Sequence, residues 1–495
     1  MGADIVITIL SFPLLLYCAW HFCSLVLSLI ARQRTRKQFY DLDFLDGKVA
    51  ILYPTCNDFK AEACCSLAKQ SGVPFDLFIL DDSTKQEYVK EIDAWSADHL
   101  SNVIVVRRKK KIGHKGANIN NWFDQFGNDE KYPYFLVVDA DECVDQNFTQ
   151  KLVSRIQDSE YAFVQACHIG TAKLDTLFRS ILHVQAECEW LFQVPGRNIS
   201  GMPPMLGHGT LMRTKVLQML GGFPNLVSED LALTIMMSAK KLRGLIAPDV
   251  IGYEEFPETY HHYWRRRRRW IEADTEIVKS ILRLLWIKNI PWVPRIDLTL
   301  RELRLSIGSL YWLLLILVAI APIVSINFYV IIPSYFWILI FFLIIPIMPI
   351  LSIGRIKLFQ RLYSIVTILF VGASTIALHP VATVKGLFSE VKFIPTGSQI
   401  NHHNRLFSFE SFWEYFCGTI LMLGGILTTN LGLVALGVAI FSAPLMRTRF
   451  QNSFLIIGSI VFFLLIFMQL LIDIRTDYIS ITHLLVFSGI AITLI

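Results

Sequence analysis

Nine cysteines in 495 residues form no C-x-x-C pair and no Cys/His group at metal-ligand spacing, so neither a zinc module nor a disulfide framework is written into this chain. No internal repeat and no low-complexity tract occur, which excludes a solenoid and a long disordered arm. Charge of one sign is also lacking. Lys and Arg total 46 against 41 Asp and Glu, a net +5 that calls for no nucleic-acid partner. Charged residues make up only 18% of the chain. What fills their place is apolar: 53% hydrophobic residues and a mean hydropathy of +0.47 are too high for an ordinary soluble protein.

The apolar residues are unevenly spread. Roughly the last 190 positions are rich in Ile, Leu, Phe and Val, whereas positions 41 to 290 have globular composition. Ile5 to Ala31 is long enough to cross a bilayer, and Arg32, Arg34, Arg36 and Lys37 after it place the next domain in the cytosol. With no small-x-small site before that basic cluster, residues 1–40 read as a retained signal anchor. Further spans are expected at Ile307 to Asn327, Tyr329 to Leu351, Phe412 to Thr428, Leu431 to Met446, Ser453 to Ile472 and Tyr478 to Ile495. Basic residues at Arg355, Lys357, Arg361, Arg447 and Arg449 put the intervening loops inside. Both ends of Leu362 to Phe388 then fall on one side, which predicts an interfacial or re-entrant helix there and a cytosolic segment over 389–411. The expected order is thus an anchor, a cytosolic domain over 41–285, interfacial helices over 286–306, and a membrane region over 307–495. That makes about seven spans in a multi-pass membrane protein with its N-terminus outside.

Within the soluble part, Lys48 to Pro54 and Phe75 to Leu80 are strand-like, with a helix expected over Phe59 to Ser71 between them. Polar clusters end both strands, Pro54-Thr55-Cys56-Asn57-Asp58 and Asp81-Asp82-Ser83, as in a doubly wound α/β sheet whose ligand crevice lies beyond the strand ends. A third strand over Tyr134 to Val138 delivers Asp139-Ala140-Asp141-Glu142. Two carboxylates at that spacing suit a hard divalent cation on a diphosphate; the competing reading is a solvated acidic turn. Ser228-Glu229-Asp230 opens a helix, where catalysis and helix capping compete as explanations. Arg265 to Arg269, followed by Trp270, suits either a phosphate clamp with a stacking face or a contact with anionic lipid worth about 1 kcal/mol per arginine.

The order of these pieces resembles the inverting, membrane-embedded glycosyltransferases of family 2, as in cellulose, chitin, hyaluronan, curdlan and plant mannan synthases. Pro54 to Asp58 is similar to the family's P-T-Y-N-E, Asp81-Asp82-Ser83 to D-D-G, and His114 to Asn121 to K-x-G-N-x-N. Asp139-Ala140-Asp141 is similar to D-x-D, Ser228-Glu229-Asp230 to T-E-D, and Arg266 to Trp270 to Q-x-x-R-W. The resemblance spans Val49 to Trp270 and implies a GT-A fold.

It further implies that Thr55, Asp58, Asp82, Lys115, Asn118, Asp139 and Asp141 hold a nucleotide-sugar donor, a uridine-diphosphate sugar before guanosine-diphosphate mannose. Asp141, with Asp139, would carry Mg²⁺ or Mn²⁺. Asp230 would be the general base and Arg269 would steady the departing diphosphate, while Trp270, Arg266, Glu229 and His208 would meet the growing glycan acceptor. Two departures stand out. Arg266 replaces the family's Gln, and Phe393-Ile-Pro-Thr396-Gly-Ser398 retains the Phe and Thr of a gating loop but not its Lys. The leading expectation is a processive synthase whose spans form a channel through the surrounding lipids. A single-sugar transferase acting on a lipid carrier is the alternative, and a non-catalytic transporter or scaffold is the third reading.

Overall fold

A computed structural model describes residues 22–31, 45–99, 102–157, 159–171, 176–192, 194–200, 203–284, 289–322, 358–389 and 408–476, with a few single residues between. The expected spans over 329–351 and 478–495, and the segment carrying Phe393 and Thr396, lie outside the described residues. The strands are β1 (Val49–Thr55), β2 (Phe75–Asp81), β3 (Val103–Val106), β4 (Tyr134–Val137), β5 (Glu142–Val144), β6 (Phe163–Gly170), β7 (Thr210–Arg213) and β8 (Gly244–Glu254). They form one sheet in the order β3-β2-β1-β4-β7-β6-β8-β5. The pairs β3/β2, β2/β1 and β1/β4 are parallel, and β7 then runs antiparallel to both β4 and β6. The result is a GT-A-like mixed sheet.

Strand alternation explains why it is covered on both faces. Val49, Ile51 and Tyr53 of β1, Leu77 and Ile79 of β2, and Leu136 of β4 join one apolar cluster. Ala50, Leu52, Phe78, Leu80, Phe135 and Val137, the residues between, join the cluster on the opposite face. α2 (Ala61–Ala68) and α5 (Phe148–Ile156) cover the first face; α4 (Lys115–Phe126), α8 (Thr214–Leu220) and α9 (Glu229–Ala239) cover the second. α2 is shorter at both ends than the sequence pattern suggests. Because β2 and β4 flank β1 on opposite sides, the chain reverses its winding there and opens a crevice at the carboxyl ends of β1 and β4.

The other helices are α1 (Phe22–Ala31), α3 (Gln86–Ala97), α6 (Leu177–Phe192), α7 (Arg197–Ser200), α10 (Tyr260–Leu284), α11 (Trp292–Glu302), α12 (Arg304–Ile320), α13 (Leu358–Ser374), α14 (Leu378–Phe388), α15 (Phe409–Leu427), α16 (Leu431–Met446) and α17 (Gln451–Thr476). One apolar cluster joins α6 and α10 to α12 through α17, so the sheet domain and the apolar helices share a core. Glycines let α15 and α16 approach closely: a Cβ on Gly418 would lie 2.8 Å from the Gly437 carbonyl oxygen. Among the described residues one helix, Gln451–Ile472, is long and apolar enough to cross a membrane. α13 and α14 pass that test only as a pair, bent by 50° at their junction. The helix α17 runs on through Asp473 and Arg475 to Thr476.

Candidate active site

The crevice is built first from the ends of β1 and β2. Asn57 adopts a left-handed φ of 60°, a conformation asparagine tolerates, and its Oδ1 accepts hydrogen bonds from Thr84 N (2.9 Å) and Lys85 N (2.8 Å). That bond pair ties the two donor-side loops together. Asp58 accepts from Thr55 Oγ1 at 2.8 Å and from Cys56 N at 2.6 Å; burial nevertheless outweighs these bonds and pushes its carboxyl above the usual range. Asp82 is gripped by Arg108, whose Nε lies 2.9 Å from Oδ1, and Lys111 Nζ donates to the Ser83 carbonyl. Arg108 and the tip of Lys111 thus reach the loop after β2, while Lys109 and Lys110 are exposed. Asn118 turns its Nδ2 to the Leu80 carbonyl oxygen at 2.9 Å, anchoring α4 to the end of β2, while its buried Oδ1 makes no hydrogen bond.

The acidic turn after β4 is held by Tyr53, whose hydroxyl donates to the Ala140 carbonyl oxygen at 3.1 Å. Asp139 and Asp141, two residues apart, have different surroundings. Lys115 Nζ bonds both Asp139 Oδ1 and, at 2.7 Å, the Gly207 carbonyl oxygen. Burial opposes both charges, but the pairing wins: Asp139 is held below the usual carboxylate range and Lys115 above its own. Asp141 makes no hydrogen bond or ion pair among the described residues. Burial, then the neighbouring Glu254 and Asp139 carboxylates, push it up to about 7. An unpaired carboxylate crowded by like charge fits a hard divalent cation, with Asp141 the more direct ligand and Asp139 beside it.

Asp230 sits in the first turn of α9, where its Oδ1 accepts from Leu231 N at 2.8 Å. Ser228 occupies the N-cap position but makes no side-chain capping bond, so capping does not account for the motif. Burial raises Asp230; burial and then Asp230 push the adjacent Glu229 up to about 8. Gly207, at φ +80°, opens onto Asp230: a Cβ there would stand 3.0 Å from Asp230 Oδ2.

α10 supplies the cationic wall. Burial, then Arg266 nearby, lower the Arg269 guanidinium to about 10, and Asp139, Asp141 and Glu229 pull it the other way. Arg269 is thus near enough to these three carboxylates to feel their charge. Arg266 pairs with Glu254 at 3.0 Å and lies over the Trp270 ring, 4.4 Å from its centroid. His208, also in the cleft, is pushed up to about 9: burial opposes its charge, but Glu142 more than compensates. Glu142, His168 and His208 each offer a ligand atom, all within 4.8 Å of one another, and by distance such a group could hold an ion. Motif reading missed Glu254, Arg108 and His168. Only the basic run at Arg107 to Lys111 offered a signal, since Glu254 and His168 occur in otherwise ordinary strands.

Residues 134–353, which include the acidic turn, Asp230 and the arginine helix, match the family model of glycosyl transferase family group 2. Over those residues the chain is similar to family 2 glycosyltransferases. The chain is 27% identical over 326 residues to glucans biosynthesis glucosyltransferase H of Vibrio cholerae, covering 59% of this chain and 43% of that protein. The protein of the same name from Pseudomonas aeruginosa is 24% identical over 256 residues, 46% of this chain and 30% of its own length. The chain therefore spans less than half the length of these curated relatives. Among solved structures it is similar to the mannosyltransferase PcManGT from Pyrobaculum calidifontis in complex with GDP-Man and Mn²⁺ (TM-score 0.49, 16% identity, 77% of this chain and 99% of that one). It is also similar to S. aureus TarS 1–349 in complex with UDP-GlcNAc (TM-score 0.32, 15% identity, 82% and 92%).

Proposed function

We propose that the protein is an inverting, membrane-embedded transferase that extends a glycan from a cytosolic nucleotide-sugar donor. The relatives' name, glucans biosynthesis glucosyltransferase, favours an activated glucose and a glucan product; a uridine-diphosphate carrier is what the family resemblance implies. The observation that carries this reading is the convergence on one cleft of the Lys115–Asp139 pair, unpaired Asp141, buried Asp230 beside Gly207, and Arg269. Asp58, Asp82, Thr55 and Asn118 line the nucleoside side of the same crevice. Trp270, Arg266, Glu229 and His208 face the acceptor.

In this mechanism Asp230 accepts the proton of an acceptor hydroxyl as that oxygen bonds to the anomeric carbon. The bond from carbon to the diphosphate oxygen breaks with its electron pair, and Arg269 stabilises the departing charge. No covalent enzyme intermediate is needed. Asp141 and Asp139 would hold Mg²⁺ or Mn²⁺, which when bound neutralises diphosphate charge. Apolar residues along the exposed side of α17, among them Ile457, Leu464 and Met468, suit lipid contact. With the segments outside the described residues, they support a multi-pass topology of about seven spans and processive extrusion through it.

Asp230→Asn tests the central assignment. Asparagine keeps the shape but cannot take the proton, so transfer should fall roughly 10²-fold to 10⁴-fold while nucleotide affinity measured by calorimetry changes little. Near wild-type synthesis by folded, nucleotide-binding Asp230→Asn protein would remove Asp230 as the base.

A further inference from the structure

Glu142 follows Asp141 directly, yet its side chain leaves the acidic cluster. It is fully buried, with Oε1 3.1 Å from His168 Nδ1 and Oε2 3.2 Å from His208 Nδ1. The two imidazole rings lie 3.9 Å apart, and Trp190 closes the far side of His168 at 4.6 Å. Two readings compete for this group: three ligands around an ion, or a carboxylate bridging two imidazoles.

Gln165 decides between them. Its Oε1 accepts from Leu206 N at 2.9 Å and Thr210 Oγ1 at 2.6 Å, and its Nε2 donates to the carbonyl oxygens of His208 at 2.7 Å and Ala166 at 3.0 Å. Backbone partners on both sides fix which end of the amide is nitrogen. That nitrogen lies 3.2 Å from His168 Nε2, so a hydrogen on Nε2 would face an N–H group. His168 therefore carries its hydrogen on Nδ1, toward Glu142 Oε1, where a metal would need a bare nitrogen. Glu142 Oε1 and His168 Nδ1 face each other at 3.1 Å, and neither has a hydrogen-bond partner elsewhere among the described residues or, by strict geometry, in the other.

The same network immobilises His208. Gln165 holds the chain on both sides of Gly207, through Leu206 N and the His208 carbonyl, and Glu142 holds Nδ1. Nε2, the other polar atom of the ring, has no hydrogen-bond partner among the described residues. The neighbouring glycines allow this placement. Gly209, at φ +57°, would meet His168 with any Cβ, and a Cβ on Gly252 would strike Glu142 Oε1. Gly207 abuts Asp230, so the locked ring stands one residue from the base.

We propose that Glu142 is a positioning residue which, backed by His168 and Gln165, aims His208 Nε2 at a hydroxyl of the acceptor sugar next to the one Asp230 deprotonates. This rests on the transferase reading above and adds to it the device that selects the acceptor. A ring ordered before binding loses little freedom when the sugar arrives, which is what makes one such hydrogen bond effective.

The test uses the full chain in detergent, with a nucleotide-glucose donor and a mixture of gluco-oligosaccharides as acceptor. His208→Gly should raise the acceptor KM and lower transfer on the order of 10-fold, the worth of one hydrogen bond in a dry site, with nucleoside-diphosphate affinity within about 2-fold. Added imidazole should restore part of the rate in His208→Gly but not in His208→Gly/Glu142→Gln, because the carboxylate must orient the free ring. Equal rescue in both variants, or an unchanged acceptor KM, overturns the proposal. So does a stoichiometric transition metal in the purified wild type that is lost from His168→Asn, read by elemental analysis without any turnover. Asp230→Asn measured alongside separates a failed base assignment from a failed positioning role: retained transfer there indicts the base, whatever the histidine variants do.

Discussion

At the residue scale, the site works by giving adjacent acidic groups unequal partners. Asp139 has Lys115, Glu142 has two histidines, and Asp141, between them in the chain, has no ion-pair partner among the described residues. Burial opposes the charge of Glu142 too, but His168 and His208 hold it well below the usual carboxylate range. Only Asp141 is left near neutrality, at about 7. The sign of its pH dependence follows. Below that value a proton occupies the carboxyl and a cation must displace it; above it the carboxylate is already free. Mn²⁺ affinity measured by calorimetry should therefore rise about 10-fold per unit as pH increases toward 7 and level off above it. Affinity that is flat from acid to neutral pH would take Asp141 out of the metal site.

At the element scale, α10 presents two chemically different faces. Residues 266, 269 and 270 meet the cleft, whereas Trp264, Arg268 and Glu272, spaced four apart, meet the apolar helices. Trp264 Nε1 donates to Glu414 Oε1 at 2.9 Å, and Arg447 grips the same carboxylate from the end of α16. Arg268 reaches Glu410 at 3.1 Å, and Lys385 of α14 reaches Glu272 at 2.9 Å. The five arginines are thus not equivalent: Arg266 pairs with Glu254, Arg267 is buried and Arg268 is tied to Glu410 and Glu272. Arg269→Lys should lose much of kcat, because a single ammonium cannot replace a fork on two phosphate oxygens, while Arg265→Lys should cost little. Equal mild losses would favour a lipid contact for the whole run. Removing the anchor on the other face acts on stability: Glu414→Ala leaves Arg447 buried and unpaired, for an expected loss of about 3–5 kcal/mol and an earlier thermal transition in detergent. An unchanged transition would show that α10 is held mainly by apolar packing.

At the scale of the whole molecule, the sheet domain is docked on the apolar helices by one continuous core, and the C-terminal end of α14 lies against α10. A Cβ on Gly386 would stand 2.4 Å from the Glu272 carbonyl oxygen, so this contact is close. The topology proposed from loop charge places both ends of Leu362 to Phe388 on the cytosolic side. Cysteines at Leu362 and Phe388, both exposed, should then react with an impermeant maleimide from the same face of oriented vesicles. Labelling from opposite faces would make the bent pair a span.

The strands of the donor side and the residues they deliver were legible in the amino-acid order, because period-2 burial and short polar strand ends are local patterns. Asp58, Asp82, Asp139 and Asp141 could be picked out for that reason, and Asp230 because an acidic pair opens a helix there. The arginine run could be found but not divided, since which arginine faces which neighbour depends on where α10 is docked and not on its own composition. Glu142 illustrates the limit most clearly. In the chain it looks like a third carboxylate of the metal turn. Its actual partners, His168 from β6 and His208 from the loop before β7, come from 26 and 66 residues away. Local patterning determines which elements form and which ends are polar; pairing between buried charges is decided by strand order and packing, because only these set which side chains share a low-dielectric space.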